Sequence, residues 1–150
     1  MKTIKKQFKK FIGNFEGDDY NNKPIIDCEG QPLFAELAVL KILKKEGWDG
    51  FWIDAYRRKF HIAMPSKTEV AFSPPKDKLE LLNQIWNKTG KKFSGSWDIF
   101  AWKGDNIKFI ELKHAKKDKM RENQDNFYQT AISLGMPEDS FEIWEWGFEE

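Results

Sequence analysis

Apolar residues recur along the chain with two periods, which predict an alternation of helices and strands. Spacings of three and four residues predict helices over residues 4–12, 30–47, 76–90 and 119–135. Shorter runs of bulky apolar residues predict strands over residues 50–56, 59–64, 96–102, 107–114 and 140–146. The Gly-, Asp- and Asn-rich residues 17–24 are predicted to form a loop. Such an order is typical of a mixed α/β domain with one sheet.

The two strands that flank the Lys-Gly-Asp-Asn turn form a predicted hairpin, and the tight turn fixes its register. If Trp102 lies opposite Ile107, then Asp98 lies opposite Glu111. Opposed side chains share a face with Cβ atoms about 5 Å apart, and strand alternation places Lys113 on that face too. Because opposed carboxylates repel, the pattern predicts a cation between them, and Mg²⁺ is commonly held by one or two carboxylates.

Two polar residues interrupt predicted apolar faces. Glu36 is the only polar residue in the run 32–40, and a buried acid costs several kcal/mol unless it is paired or bound to a metal. Gln124 lies inside the apolar stripe of the helix predicted over 119–135, where its amide could orient Lys113, a water molecule or a phosphate. Structural roles stay open for both, since Glu36 could pair with a lysine and Gln124 could bond to the backbone.

A basic segment follows the second strand of the hairpin and leads into the next predicted helix. Its cations are Lys116, Lys117, Lys119 and Arg121. Cations at the start of a helix oppose the helix dipole. Their presence predicts contact with a phosphate backbone, because helix N-termini also attract phosphate.

Composition narrows the class of protein. The chain has 150 residues, enough for one domain with a core, and 15% aromatic residues argue against disorder. Its apolar stretches are far shorter than the roughly 20 residues of a membrane span. The single cysteine, Cys28, cannot form an internal disulfide, which favours a cytoplasmic location. The net charge of +1 gives no indication of a nucleic-acid partner.

Asp98, followed after a short hairpin by Glu111-Leu112-Lys113, resembles the PD-(D/E)XK nuclease superfamily. The predicted element order over residues 31–146 is similar to the core of that superfamily. An E-x-K strand that leads into a Gln-bearing helix ending in Gly resembles the VRR-NUC branch more narrowly. Trp97 stands where many members have a proline.

The resemblance implies an α/β fold with a restriction-endonuclease-like core of order αβββαβ. A mixed sheet would be flanked by helices, and a hairpin strand and a helix would be inserted at about residues 59–92. The whole chain, 1–150, would be a single nuclease domain. Residues 1–30 would form an N-terminal extension, and residues 31–146 would form the core.

The resemblance also implies a divalent metal, Mg²⁺ or Mn²⁺, and no small-molecule cofactor. Asp98 and Glu111 would ligate the ion, and the Leu112 carbonyl would add a ligand. Glu36 would hold a metal-bound water or a second ion. A metal of this kind lowers the pKa of bound water and offsets charge that develops on a phosphate.

The implied activity is endonucleolytic hydrolysis of DNA. Lys113 would position or activate the attacking water, and Gln124 would support Lys113 or the phosphate. Because a small chain offers little surface for reading sequence, structure-selective cleavage of branched or junction DNA by a homodimer is the expected form, with no membrane partner. Two alternatives stay open. One is a non-catalytic nucleic-acid-binding module with the same fold, and the other is a nuclease subunit that needs a partner.

Overall fold

The structure, a computed structural model, describes residues 1–66, 71–115 and 118–150, which form eight strands and three α-helices. The strands are β1 (Lys2–Phe8), β2 (Ile25–Cys28), β3 (Gln31–Phe34), β4 (Asp49–Asp54), β5 (Lys59–His61), β6 (Ile99–Lys103), β7 (Asn106–His114) and β8 (Phe141–Phe148). The helices are α1 (Ala35–Lys45), α2 (Lys76–Thr89) and α3 (Glu122–Ser133). Within the described ranges, no helix has the length and apolar character needed to cross a membrane.

Six of the strands form one mixed sheet in the order β1-β8-β7-β6-β4-β5. Strands β4, β5, β6 and β7 pair antiparallel, whereas β8 runs parallel to β7 and to β1. Strands β2 and β3 form a separate hairpin. The prediction of a mixed α/β domain with helices among the strands is confirmed.

Helices cover both faces of the sheet, because neighbouring apolar residues on a strand point to opposite sides. On β7, Phe109 belongs to the core cluster that contains Phe127 of α3 and Leu82 of α2. The next residue, Ile110, belongs to the cluster that contains Leu37 of α1 and residues of the β2–β3 hairpin. The sheet is therefore the middle layer, with α1 on one side and α2 and α3 on the other.

The β6–β7 hairpin has the register that the sequence predicts. Trp102 pairs with Ile107, and Phe100 pairs with Phe109. The turn is tight because Gly104 adopts a φ of +60°, a conformation that costs glycine little. This register carries the predicted acids to the open end of the hairpin.

The helix predicted over 4–12 is wrong, since Lys2–Phe8 is the edge strand β1, paired parallel with β8. The apolar spacing of four between Ile4 and Phe8 fits a helix, but it also fits one face of a strand. Between them Lys6 is half-buried, with its ammonium 5.9 Å from the Trp144 ring centroid. The N-terminal extension thus adds a strand to the sheet.

The first long helix starts later than predicted. Residues Gln31–Phe34 form β3 and pair with β2 across a turn in which Glu29 has a φ of 55° and Gly30 a φ of 88°. Helix α1 therefore begins at Ala35, immediately before Glu36. The basic segment likewise precedes its helix, because α3 begins at Glu122 rather than at residue 119.

Candidate active site

The predicted site residues line one open cleft of about 940 Å³ at the open end of the β6–β7 hairpin. The cleft contains Glu36, Asp98, Glu111, Leu112, Lys113 and Gln124, together with Lys119 and Arg121. These residues come from α1, from the residue before β6, from β7, and from α3 and the segment that leads into it. Residues distant in sequence are therefore brought to one surface.

Asp98 and Glu111 meet where regular pairing of the hairpin ends. The last backbone pair is Ile99 with Ile110, and beyond it side chains replace the backbone bonds. The Asp98 N–H donates to Glu111 Oε1 at 3.2 Å, and the Leu112 N–H donates to Asp98 Oδ2 at 2.9 Å. The two acids therefore lie opposite each other, as the register predicts.

Burial raises the pKa of Asp98 well above its usual range, and the charges of Glu111 and Glu36 raise it further. Burial also raises the pKa of Glu111, although Lys113 opposes this effect. Such a pair favours retention of a proton or binding of a cation between its oxygens.

Lys113 is buried and has three hydrogen-bond or ion-pair partners. Its Nζ lies 3.1 Å from Glu111 Oε2 and donates to Gln124 Oε1 at 2.8 Å and to the Lys119 carbonyl at 2.9 Å. An ammonium has three N–H groups, and hydrogen bonds to Gln124 and to the Lys119 carbonyl use two of them. The lysine is thus held in a fixed position beside the paired acids.

Gln124 connects the acid and the lysine from the first turn of α3. Its Nε2 donates to Glu111 Oε2, and its Oε1 accepts from Lys113 and from the Arg121 N–H. These partners settle which way the amide points, because only the oxygen can accept from the ammonium. The structure therefore places Gln124 next to Lys113, one of the positions expected from sequence.

The loop before β6 packs closely against the start of α3 and so fixes Gln124. The Trp97 indole N–H donates to the Gln124 carbonyl at 3.0 Å. A Cβ on Gly95 would lie 2.2 Å from the Asn123 carbonyl oxygen, so no other residue fits without a shift of the backbone. Trp97 is fully buried and links the loop before β6 to α3. It stands at the position where many members of the PD-(D/E)XK superfamily have a proline.

Glu36 is buried at the start of α1 and pairs with a lysine that sequence reasoning missed. Lys23 donates to Glu36 Oε2 at 2.9 Å. Burial alone would lower the pKa of Lys23, but the Glu36 carboxylate outweighs it and raises that pKa. Among the described residues, Glu36 Oε1 is the only buried side-chain oxygen or nitrogen without a hydrogen-bond partner. One oxygen of Glu36 is paired, and the other remains available.

The cleft contains a second buried acid that the sequence did not point to, at the end of β4. Asp54 is buried, with His61 Nε2 at 3.2 Å and the Arg57 guanidinium at 3.6 Å. Burial alone would raise the pKa of Asp54, but its bonds to His61 and to the Arg57 N–H lower it. Asp54 is thus an ionised carboxylate whose partners anchor the turn after β4.

The cleft contains oxygen atoms of the chemical type that binds a hard divalent cation. Asp98 and Glu111 are adjacent carboxyls with raised pKa values, and Glu36 has an unbonded buried oxygen. Carboxylate oxygens are the ligands that Mg²⁺ and Mn²⁺ prefer. In the described parts of the chain, no three acidic, His or Cys side chains are already arranged around one ion position. Lys23 and Lys113 instead neutralise Glu36 and Glu111.

The predicted phosphate-binding cations are only partly described. Lys116 and Lys117 lie outside the described residues. Lys119 and Arg121 are exposed and line the cleft on the α3 side. The backbone of this segment also contacts the buried site, because the Lys119 carbonyl accepts from Lys113.

Comparison of the chain with protein-family models, with curated proteins and with solved structures finds no match. The resemblance to the PD-(D/E)XK nucleases therefore stays a prediction that rests on Asp98, Glu111 and Lys113. Lys23 could not have been singled out from sequence, since it lies in a polar loop 13 residues before Glu36.

Proposed function

We propose that the protein is a divalent-metal-dependent endonuclease that hydrolyses phosphodiester bonds in DNA. The observation that carries this proposal is the convergence of Asp98, Glu111 and Glu36 with the buried Lys113 in one open cleft. The element order supports it, since α1, β4, β6, β7, α3 and β8 follow the order of a restriction-endonuclease-like core, with β5 and α2 as the insert. Buried, mutually perturbed titratable groups in a cleft favour a functional site over a solvated surface.

The metal would be held by the carboxylates of Asp98 and Glu111, with Glu36 and the Leu112 carbonyl as further oxygen ligands. When bound, Mg²⁺ or Mn²⁺ lowers the pKa of water and offsets charge on the phosphate. Asp98 and Glu111 would give up any proton held between them as the ion binds, which accounts for two acids placed side by side. Glu36 can take part through Oε1 while Oε2 stays bonded to Lys23.

Lys113 would stabilise charge on the phosphate and orient the attacking water. It is suited to this because Gln124 and the Lys119 carbonyl hold its ammonium beside Glu111. A preorganised cation in a water-poor site stabilises developing charge without reorganising at the moment of reaction. Gln124 would act as a positioning residue, since it bonds to both Lys113 and Glu111.

The outer cleft would receive the DNA backbone. Lys119 and Arg121 are exposed there, on the rim next to α3. Cations at this rim would contact phosphates and make binding depend on salt. The cleft is wide and open, which favours a DNA shape over a long base sequence as the recognised feature. A homodimer that cuts branched DNA remains the favoured form of the proposal.

Purified protein incubated with supercoiled plasmid, a four-way junction and a linear duplex tests this function. We expect cleavage of DNA with Mg²⁺ or Mn²⁺ and none with EDTA, because the acids cannot activate water without an ion. The Asp98→Asn protein, prepared in parallel, controls for contaminating nucleases and should cleave nothing. Folded wild-type protein that leaves every substrate intact with both metals, or that still cleaves in EDTA, would contradict the proposal.

A further inference from the structure

The turn between β4 and β5 carries an aromatic ring that the fold leaves in solvent. Tyr56 is 88% exposed, whereas every other aromatic side chain of the described residues is buried or half-buried. Most of the other rings lie in the two core clusters or pack against them, and the remaining rings are half-buried. Tyr56 also lines the cleft that contains Asp98 and Glu111. An exposed aromatic ring beside a candidate active site is available to a ligand.

The ring lies near a cation that is ion-paired to a buried carboxylate. The Arg57 guanidinium lies 5.3 Å from the Tyr56 ring centroid and 3.6 Å from the Tyr20 ring centroid. It also pairs with the buried Asp54 carboxylate at 3.6 Å. Asp54 has a second buried partner in His61, so the base of the turn is tied to β5. The turn therefore carries Tyr56 beside the cleft with its ring free to contact a ligand.

Two further cations line the same cleft and have no acidic partner among the described residues. Arg58 and Lys92 both line the cleft, and their charged ends lie 5.4 Å and 6.0 Å from the Phe93 ring centroid. Neither forms an ion pair within the described parts of the chain. The cleft thus offers exposed positive charge at Arg58 and Lys92, in addition to its carboxylates.

We infer that the β4–β5 turn binds an unpaired DNA nucleotide next to the scissile bond. Tyr56 stacks on its base, while Arg58 and Lys92 contact the phosphates on either side. Stacking platforms combined with cations are how proteins bind single strands without sequence preference. A continuous duplex keeps its base faces inside the helix and offers Tyr56 nothing to stack on. The inference rests on the proposed nuclease function for the position of the scissile bond, and it specifies a substrate with unpaired nucleotides, such as a flap, a bubble or a junction.

Fluorescence anisotropy in Ca²⁺ tests this with a labelled oligothymidine and a blunt duplex of equal length. We expect wild-type protein to prefer the single strand. Tyr56→Ala should weaken single-strand binding at least about fivefold and barely affect duplex binding, because stacking is lost and charge is kept. Tyr56→Phe should keep wild-type affinity. Ile12→Ala, at an exposed residue (86%) outside the cleft, is the matched control and should change nothing.

The paired cations give a second, independent readout. The double variant Arg58→Ala, Lys92→Ala should lower the log–log salt slope of single-strand binding by about 1.4, since each phosphate contact on a single strand contributes about 0.7. Single-strand affinity of Tyr56→Ala within twofold of wild type, or equal losses on single strand and duplex, would overturn the inference. So would a shift from dimer to monomer in Tyr56→Ala without a change in DNA affinity.

These measurements separate the inference from the proposed function, because they follow binding and not turnover. A protein that cleaves no DNA but shows the Tyr56-dependent preference would contradict the nuclease proposal and support the binding site. A protein that cleaves DNA while Tyr56→Ala behaves as wild type on every substrate would support the nuclease proposal and contradict the binding site at Tyr56.

Discussion

Lys113→Ala is expected to lower DNA cleavage at least about 100-fold, the effect of removing one preorganised group that stabilises charge in a transition state. Affinity for Mn²⁺ should be unchanged or higher. Lys113 is a cation and cannot be a ligand, and its removal frees Glu111 Oε2 from an ion pair of 3.1 Å. Single-turnover cleavage together with Mn²⁺ calorimetry separates the two effects.

Lys76→Ala is the matched control for this variant, because Lys76 is exposed at the start of α2 and lies outside the cleft. It should cleave as wild type does. A thermal melt shows that the Lys113 variant is folded, which matters because the substitution leaves Glu111 buried without its cation. Parallel loss of Mn²⁺ affinity and cleavage, or cleavage within threefold of wild type, would show that Lys113 does not have the proposed role.

Asp98→Asn is expected to leave the metal-free protein as stable as wild type or more stable, by up to about 3 kcal/mol. That limit is the repulsion of two charges about 5 Å apart at an effective dielectric constant near 20. The amide also keeps the shape of the acid, since its oxygen can still accept from the Leu112 N–H. Chemical denaturation in EDTA measures the difference between the two proteins.

The advantage of Asp98→Asn in EDTA should grow as pH rises. The folded-state pKa of Asp98 is raised by burial and by Glu111. A group with a raised folded pKa contributes its stability below its unfolded pKa and loses it as pH rises through the folded value. Wild type should therefore lose stability relative to the variant from about pH 4 upward. Asp105→Asn, at the exposed turn of the same hairpin, should show no such trend.

Mn²⁺ should reverse the order of the two proteins. A ligand that binds only the folded state at 100 times its dissociation constant adds about 2.7 kcal/mol to the free energy of unfolding. Wild type should gain this stability, whereas Asp98→Asn should gain much less and cleave no DNA. Melting curves of both proteins with EDTA and with Mn²⁺ decide the matter. If the variant is clearly less stable than wild type in EDTA, and Mn²⁺ does not raise the melting temperature of wild type, then the two acids are a structural pair and not metal ligands.

The geometry of the hairpin could be predicted from sequence because a tight turn leaves few registers. Once Trp102 pairs with Ile107, alternation alone brings Asp98 opposite Glu111 and places Lys113 on the same face. Gln124 could be singled out because a polar residue interrupts an apolar helical stripe. Local rules were sufficient wherever one element and its neighbour in sequence decide the structure.

Features that depend on distant parts of the chain could not be predicted in this way. Strand β1 forms because its backbone pairs with the edge of β8. Its inward-facing positions include the half-buried Lys6, so the sequence lacks the apolar alternation that predicts a strand. Lys23 reaches Glu36 from a loop 13 residues earlier in the chain. None of these residues has a neighbour in sequence that signals its role.

The position of a bound ion tests the central claim most directly. We would grow crystals of the protein with Mn²⁺ and a short DNA duplex that carries an unpaired end, and record anomalous scattering from manganese. The account predicts an anomalous peak in contact with the carboxylates of both Asp98 and Glu111, with the Lys113 ammonium nearby. Crystals with Mn²⁺ in the solution but no such peak, and with the two acids still bonded to each other, would contradict it.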